Sequence, residues 1–341
     1  MTNTKELYRE QEKAKAVNQI KNGQIFNGDS GRKPYFLNKK WYPKADLLMD
    51  GKNNLFYRIK NEVVLYFALN NIVFHHLDGD SDKGFCIPSG HTLSSQISCL
   101  NYLFPLRYDK EAVLSIAKIV CSDFIDVLEI QTDSHLSGYI AFEVVSDSNH
   151  LNETNNLRGK LCTSIDALIY AQHRSGKRYL LPIEWKYTEC YDDKDYSIEN
   201  RPFEKEKEGK GKERLRRYCD SGLINNSKQL KSLDTYKSSI YFFEPFYQLM
   251  RQTLWAEQMV AYKDTETIKA DEFIHVHVIP KENTNLLDKI YLRSSRNMET
   301  TWRECLQDQS KYKIISPKDL LANIDPNKYA DLKNYLETRY W

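Results

Sequence analysis

A carboxylate and an amine stand two residues apart near the middle of this 341-residue chain. Glu184 and Lys186 lie in the run LLPIEWKYTE, which is apolar and β-rich and therefore predicts a strand. Residues two apart in a strand project from the same face, so the acid and the amine should share one face. The apolar run YLLPI leads into the pair, and it favours a central strand over an exposed strand with a surface ion pair.

A second carboxylate precedes Glu184 by 18 residues. Asp166 lies in the run CTSIDALIYAQ (162–172), and a Ser-Gly turn connects that run to residues 177–189. The two runs should pair as a hairpin, which would bring Asp166 to the face that carries Glu184 and Lys186. Two carboxylates can bind Mg²⁺ beside a phosphodiester, and the amine can assist a nucleophilic water or the phosphate. The simpler alternative is that Asp166 only begins a strand.

The pattern Asp166, then Glu184-Trp185-Lys186, resembles the D(X)nEXK signature of the PD-(D/E)XK nucleases. The predicted order of elements around it, helix, three strands, helix and strand, agrees with the αβββαβ core of that superfamily. Three segments, HTLSSQISCLNYLFPL, IEWKYTE and EPFYQLMRQTLWAEQM, are also similar to a bacterial family of restriction-endonuclease-like proteins, over roughly residues 90–280. The resemblance implies an α/β fold with a mixed central sheet flanked by helices, extended by helical N- and C-terminal segments.

The resemblance also implies a role for each residue of the signature. Asp166 and Glu184 match the metal-binding acids, Lys186 matches the catalytic lysine, and the carbonyl of Trp185 matches a backbone ligand of the metal. The metal expected at such a site is Mg²⁺, with Mn²⁺ as the alternative. Additional site candidates are polar residues on neighbouring elements: Gln96, Glu143, Gln248, Arg251 and Gln252.

Each additional candidate has a simpler interpretation as well. Gln96 matches the position where related nucleases carry Glu or Gln on the first core helix, but it can equally bridge buried helix groups. Glu143 is an alternative fourth acid or a solvent-facing residue of its strand. Gln248, Arg251 and Gln252 form a polar stripe on a late helix, where related enzymes hold the metal-bound water or a phosphate; a solvated face is the alternative.

Periodicity and turn residues predict the elements that must position these side chains. Helices are predicted over 1–22, 58–74, 91–107, 110–130 and 244–262. Strands are predicted over 138–145, 162–172, 177–189 and 273–280. Residues 23–50 should form a loop-rich aromatic arm. The predicted domain organisation is an N-terminal extension (1–90), a core (91–280) with an insertion at about 190–243, and a mostly helical C-terminal extension (281–341).

Two local features remain open at this level. The doublet His75-His76 can be a metal pair or the end of a strand that meets a loop. The basic run 201–217 should be an exposed arm, either simply solvated or in contact with a phosphate backbone.

Composition limits the function classes. The net charge of +2 argues neither for nor against nucleic acid, since phosphate binding needs local potential. There is no GxGxxG and no GxxxxGK[ST], which argues against a nucleotide-cofactor enzyme. Seven scattered cysteines without a CxxC pair predict reduced thiols in a cytoplasm. The charged N-terminus and the absence of a long apolar run predict neither a signal peptide nor a membrane span.

The sequence therefore predicts a metal-dependent endonuclease that hydrolyses phosphodiester bonds, with DNA favoured over RNA and a restriction or defence role implied by the resemblance. The rival hypothesis is a non-catalytic nucleic-acid-binding protein on a nuclease-like fold. It is disfavoured because such a protein has no reason to retain the Asp, the Glu and the Lys together. A homodimer is suggested only by analogy with enzymes that cut both strands of a duplex.

Overall fold

A computed structural model of the chain describes residues 7–84, 86–132, 136–153, 162–200 and 209–341. Its helices are α1 (Tyr8–Asn22), α2 (Lys60–Leu69), α3 (Ser95–Leu103), α4 (Lys110–Val120), α5 (Lys210–Leu215), α6 (Phe246–Ala261), α7 (Thr284–Leu287), α8 (Met298–Glu304), α9 (Pro317–Leu320) and α10 (Ala330–Arg339). Its strands are β1 (Lys33–Leu37), β2 (Lys40–Lys44), β3 (Phe124–Leu128), β4 (Ile140–Val144), β5 (Ile165–His173), β6 (Arg178–Trp185), β7 (Glu272–Phe273), β8 (His275–Val278) and β9 (Tyr312–Ile315). Among the helices described, none is long and apolar enough to cross a membrane.

One mixed sheet organises the larger part of the chain. Its strand order is β3-β5-β6-β8-β9, and β4 and β7 extend it by pairing with β5 and β6. Strand β5 is antiparallel to β3, β4 and β6, whereas β6, β8 and β9 run parallel. The predicted hairpin is present, with Ala167 opposite Ile183 and Gln172 opposite Arg178.

Both faces of this sheet are covered, as near-continuous apolar runs in β5 and β6 require. Successive residues of β5 point alternately to the two faces of the sheet. Ala167 and Ile169 pack with residues of α2, α3, α4 and α10 in one core. Leu168 and Tyr170 pack with residues of α6 and α8 in the other. The fold is thus mixed α/β, with a central sheet between layers of helices.

The predicted helix over 110–130 is wrong in its second half. Helix α4 begins at the N-cap Asp109, whose carboxylate accepts from the backbone of Ala112, and ends at Val120. Ser and Asp follow, and they compete for backbone hydrogen bonds and disfavour continuing the helix. Residues 124–128 then form the edge strand β3, because their Phe, Ile and Val side chains suit a half-buried pleated surface.

Three further strands were not predicted. The aromatic arm contains the β1–β2 hairpin, whose turn residues Asn38 and Lys39 both have positive φ, 49° and 62°. Positive φ at both turn residues is characteristic of a type I′ hairpin turn, in which lysine is unusual. The C-terminal part contains helices, as expected, but its short run 312–315 adds β9 beside β8.

The insertion 190–243 is ordered over its described residues. The prediction of an exposed basic arm falls partly on 201–208, outside the described residues. The remaining part, 209–217, forms α5 and the following turn, with Gly211 and Glu213 buried. Gly211 packs so closely on Ser197 that an added Cβ would lie 2.3 Å from the Ser197 carbonyl oxygen. The described part of the basic run is therefore packed against the domain.

Candidate active site

Four neighbouring strands each contribute one polar residue to a single row across the sheet. The antiparallel registers of β4–β5 and β5–β6, continued by one step, place Glu143 opposite Asp166 and Asp166 opposite Glu184. The parallel register of β6–β8 pairs Glu184 with His277. Directly opposed residues in a sheet project to the same face. Three carboxylates therefore lie in neighbouring positions on the face that α6 covers.

The peptide between the acid and the lysine ties this row together. The backbone N–H of Trp185 donates to Oδ2 of Asp166 across 2.7 Å. The Trp185 indole lies on the other face of the sheet, where it donates to Ser98 Oγ at 3.1 Å and packs on Tyr102. Only the backbone of Trp185 is thus near the acids, and its carbonyl stays a predicted ligand.

Lys186 extends from the end of β6 to the same acids. Its Nζ lies 2.5 Å from Glu184 Oε1 and also contacts Gln248 Oε1 on α6. Burial alone would lower the pKa of Lys186, but the carboxylate of Glu184, with smaller contributions from Tyr191, Glu189 and Asp166, raises that pKa well above its ordinary value. The lysine is therefore a fixed positive charge, suited to stabilising an anion.

The pKa of Asp166 is shifted in the direction expected of crowded acids. Burial, then Glu184 and Glu143, raise it well above its ordinary value, against the opposing effects of Lys186 and the Trp185 N–H. A divalent cation among these oxygens would offset the repulsion between carboxylates, and carboxylates are the ligands that Mg²⁺ prefers. The donor set thus fits the predicted metal, which Asp166 and Glu184 would hold through their side chains.

Gln252 on α6 fixes the orientation of Glu184. Its amide nitrogen donates to Glu184 Oε2, and its amide oxygen lies 2.9 Å from His275 Nε2. Because the ionised carboxylate only accepts, the amide must turn its oxygen to His275, which then carries its proton on Nε2. His275 Nδ1, 3.3 Å from Thr253 Oγ1, is left to accept the hydroxyl proton. The neutral side chains of Thr253, His275 and Gln252 thus form a series of hydrogen bonds that ends at Glu184.

Glu143 is held by its own set of partners. Its two oxygens accept from Gln96 Nε2 at 2.6 Å and from Ser164 Oγ at 2.7 Å. Its backbone φ is 50°, a left-handed conformation that costs a non-glycine residue about 1–2 kcal/mol. Gln96 in turn accepts from the backbone N–H of His75 at 2.9 Å. Gln96 therefore supports Glu143, and strained backbone of this kind is concentrated at functional sites.

A comparison with known families matches almost the whole chain. Residues 11–341 match the family described as "Restriction Endonuclease associating with ARP". The chain belongs to this family. The match includes every residue of the acid row and both helices that contact it. No curated protein and no solved structure matches the chain.

In this restriction-endonuclease family member, the acid row opens into a cleft of about 400 Å³. Asp166, Glu184 and Glu143 line one side, together with Gln248 and Gln252. The lining also includes four cations from α5, the turn after it and α6, which together are called the cationic wall: Lys210, Arg214, Arg217 and Arg251. The acid Glu213 lies among them and pairs with Arg217 at 3.2 Å. A cleft with acids at its base and cations on its wall can hold a phosphodiester next to a metal ion.

The cations of this wall differ in their present partners. Arg214 pairs with Glu199 at 2.7 Å, and Arg251 donates to Glu153 at 3.1 Å and to Thr163 Oγ1 at 3.1 Å. Glu153 also accepts from the Thr163 backbone and from Tyr218. Arg251 thus lines the cleft, but part of its charge is balanced by the buried Glu153.

The structure brings the sequence-predicted residues together with few exceptions. Asp166, Glu184, Lys186, Gln248 and Gln252 are joined by direct contacts or by the sheet register. The metal-pair hypothesis for His75-His76 is wrong in geometry, since His75 lines the cleft while His76 is bound to Asp80 and to the Ile87 carbonyl. Neither residue lies in a strand.

Several residues of the site were missed by sequence reasoning. His275 and His277 alternate in the run HVHV, a spacing that places both on the face of the acid row, so the signal was present. Ser164, Glu153 and Glu244 carried no pattern. Glu244 lies beside the site; burial raises its pKa, and Lys186 and Arg251 oppose that shift.

Proposed function

We propose that this chain is a Mg²⁺-dependent endonuclease of the PD-(D/E)XK type that hydrolyses phosphodiester bonds in DNA. The observation that carries the proposal is the proximity of Asp166, Glu184 and Lys186 on one face of the sheet, where both acids line one cleft and the lysine ammonium lies 2.5 Å from Glu184. The sequence of β4, β5, β6, α6 and β8 after the first core helices supports it, since it follows the element order of that superfamily. The family's description as a restriction endonuclease supports DNA as the substrate.

Each residue of the site has a distinct role in this proposal. Asp166 and Glu184, with the Trp185 carbonyl, would hold the cation, which when bound polarises the phosphate and lowers the pKa of a water. Lys186 brings a positive charge to the position where negative charge develops on the phosphate or its attacking water. Gln248 holds the Lys186 ammonium and Gln252 holds Glu184. These contacts favour positioning roles for both glutamines over direct contacts with phosphate.

The cationic wall supplies the binding contacts. Lys210 and Arg251 line the same cleft as the acids, where the phosphates that flank the cut bond would pass. Phosphate contacts of this kind fix the register of a nucleic acid without reading its sequence. The proposal therefore assigns substrate binding to α5 and α6, and chemistry to β5 and β6.

The test is cleavage of supercoiled plasmid by purified protein with Mg²⁺ or Mn²⁺, with and without EDTA. Wild type should nick or linearise the plasmid only with metal. Lys186→Ala and Asp166→Asn should each lose about 10²-fold or more of the rate. Lys83→Ala is the matched control, because Lys83 is an exposed lysine paired with Asp78 outside the cleft.

Two outcomes would contradict the proposal. Cleavage that survives EDTA would exclude a metal-dependent site, and cleavage by Lys186→Ala at the wild-type rate would exclude the assigned lysine. A wild-type protein that binds DNA but cleaves it with neither metal would favour the rival hypothesis of a non-catalytic nucleic-acid-binding protein.

A further inference from the structure

The β1–β2 hairpin exposes aromatic side chains that no other element covers among the described residues. Phe36 and Trp41 are directly opposed, with ring centroids 5.2 Å apart, and they remain 43% and 55% exposed. Leu37 and Tyr42 beside them are also about half exposed. A two-stranded ribbon gains little stability from side chains left in water. An apolar patch of this kind usually marks a binding surface.

The same ribbon is strongly basic. Residues 32–44 contain five lysines and arginines and no acid. Lys33 and Lys44 are bound to aspartates at the base of the ribbon. Arg32, Lys39 and Lys40 are exposed and form no ion pair with any described residue. Unpaired cations next to exposed aromatic rings are the combination that binds nucleic acid, through phosphates and stacked bases.

The ribbon is anchored next to the proposed active site. The backbone N–H of Phe36 donates to the Gly79 carbonyl at 2.8 Å. Four residues before Gly79, His75 lines the catalytic cleft. Four residues span at most about 14 Å, so the Phe36–Trp41 pair lies within about 20 Å of the cleft wall. At 3.4 Å per nucleotide, that is a distance of about six nucleotides along a strand.

We propose that the β1–β2 hairpin is a second nucleic-acid contact, which stacks Trp41 and Phe36 on bases and sets Arg32, Lys39 and Lys40 against phosphates of the strand that enters the cleft. This inference rests on the proposed function, because the strand bound in the cleft is the one that would reach the hairpin. Binding to the hairpin does not itself require cleavage. The cations favour nucleic acid over an apolar protein partner, which would bury them at a cost.

Trp41 provides a direct readout. Trp185, Trp255 and Trp302 are buried and Trp341 is partly buried, so the acrylamide quenching that is present in wild type and missing from Trp41→Phe reports the exposed Trp41. A single-stranded oligonucleotide of 20 nucleotides, added in EDTA to prevent cleavage, should reduce the acrylamide quenching in wild type. It should have no such effect in Trp41→Phe.

The affinity measurement uses the same oligonucleotide in EDTA. Trp41→Ala should weaken binding by about 10-fold, the scale of one lost base stack. Tyr57→Ala is the control, because Tyr57 is exposed to 60% but lies outside the hairpin. Gly79→Ala should also weaken binding while leaving every hairpin side chain in place, since the added Cβ would meet the Phe36 carbonyl oxygen at 2.1 Å and displace the ribbon.

The outcomes separate this inference from the proposed function. Protection of Trp41 without plasmid cleavage would support the hairpin contact while the nuclease proposal fails. Cleavage by wild type, together with wild-type affinity of Trp41→Ala and no protection of Trp41, would overturn the hairpin contact alone. A hairpin that captures a protein and leaves oligonucleotide affinity unchanged on substitution would likewise overturn it.

Discussion

The backbone N–H of Trp185 lies 2.7 Å from Oδ2 of Asp166, within hydrogen-bonding distance across the β5–β6 hairpin. The register of the hairpin presents both acids to the same side of the sheet, and this contact joins the two strands there. Any slip of the hairpin by one residue would move Asp166 to the opposite face and separate it from Glu184. The predictions below follow from this arrangement and from the groups that support it.

Replacing Asp166 should separate metal binding from stability. Asp166→Asn keeps an oxygen for the Trp185 N–H and removes one of three crowded carboxylates, so the metal-free protein should be at least as stable as wild type. Mn²⁺ should raise the melting temperature of wild type, because binding to the folded state alone stabilises it, and should leave the variant unchanged. Thermal unfolding with and without Mn²⁺ measures both effects.

Asp126→Asn serves as the control for this experiment, because Asp126 lies on β3 of the same sheet but pairs with Lys110 outside the cleft. It should respond to Mn²⁺ as wild type does. An equal Mn²⁺-induced shift in Asp166→Asn would remove this carboxylate from the metal site.

Gln252 should act through Glu184. Gln252→Ala leaves the Glu184 and His275 polar atoms without their partner in a buried position, so metal-dependent cleavage should fall by about 10–100-fold and the half-saturating Mg²⁺ concentration should rise. A Mg²⁺ titration of the cleavage rate measures this. Gln258→Ala, six residues further along α6, should behave as wild type. A variant with reduced rate but unchanged Mg²⁺ dependence would indicate a structural role alone.

The central part of the site was predictable because it depends on local rules. Alternation places Glu184 and Lys186 on one face, and the Ser-Gly turn fixes the hairpin that brings Asp166 beside them. The amphipathic pattern of α6 identified Gln248 and Gln252, but a periodic pattern gives no distance across a long insertion. Only the packed structure shows that both glutamines reach the acids.

The remaining features depend on tertiary context that the sequence does not express locally. Strand β9 has only four residues, and its place beside β8 is set by the sheet edge that it covers. The β1–β2 turn uses Asn38-Lys39 in a conformation that usually requires glycine at its second position. The Glu153–Arg251 ion pair joins residues 98 positions apart, and nothing in either segment indicates it.

Arg251 should contribute to DNA affinity as a phosphate contact. Arg251→Gln should weaken binding of DNA in EDTA and reduce the slope of log affinity against log salt by about one unit. Arg251→Lys should retain most of that slope, since it keeps the charge. Binding titrations at several salt concentrations measure both. If Arg251 serves only to neutralise Glu153, the Gln variant should lose thermal stability and keep the wild-type slope.

His275 should make the folding stability depend on pH. Burial lowers the pKa of His275 to about 4, against an ordinary value near 6.5, so the folded state holds it neutral. Between these values the unfolded chain binds a proton that the folded protein does not. The free energy of unfolding contributed by this group is therefore fully present above pH 6.5 and is lost as the pH falls toward 4. The loss should reach about 2 kcal/mol by pH 5.

Urea unfolding of the metal-free protein at pH 7.5 and pH 5 tests this dependence. His275→Gln keeps an N–H for Gln252 Oε1 and should be less stable than wild type at pH 7.5. Because glutamine cannot be protonated, this variant should lose less stability on acidification. His277, whose pKa is also lowered by burial, should retain its own share of the pH dependence in that variant. His173→Gln, at the half-exposed end of β5, is the control and should keep the wild-type difference. Identical losses in wild type and His275→Gln would show that this histidine is not the group held neutral by the fold.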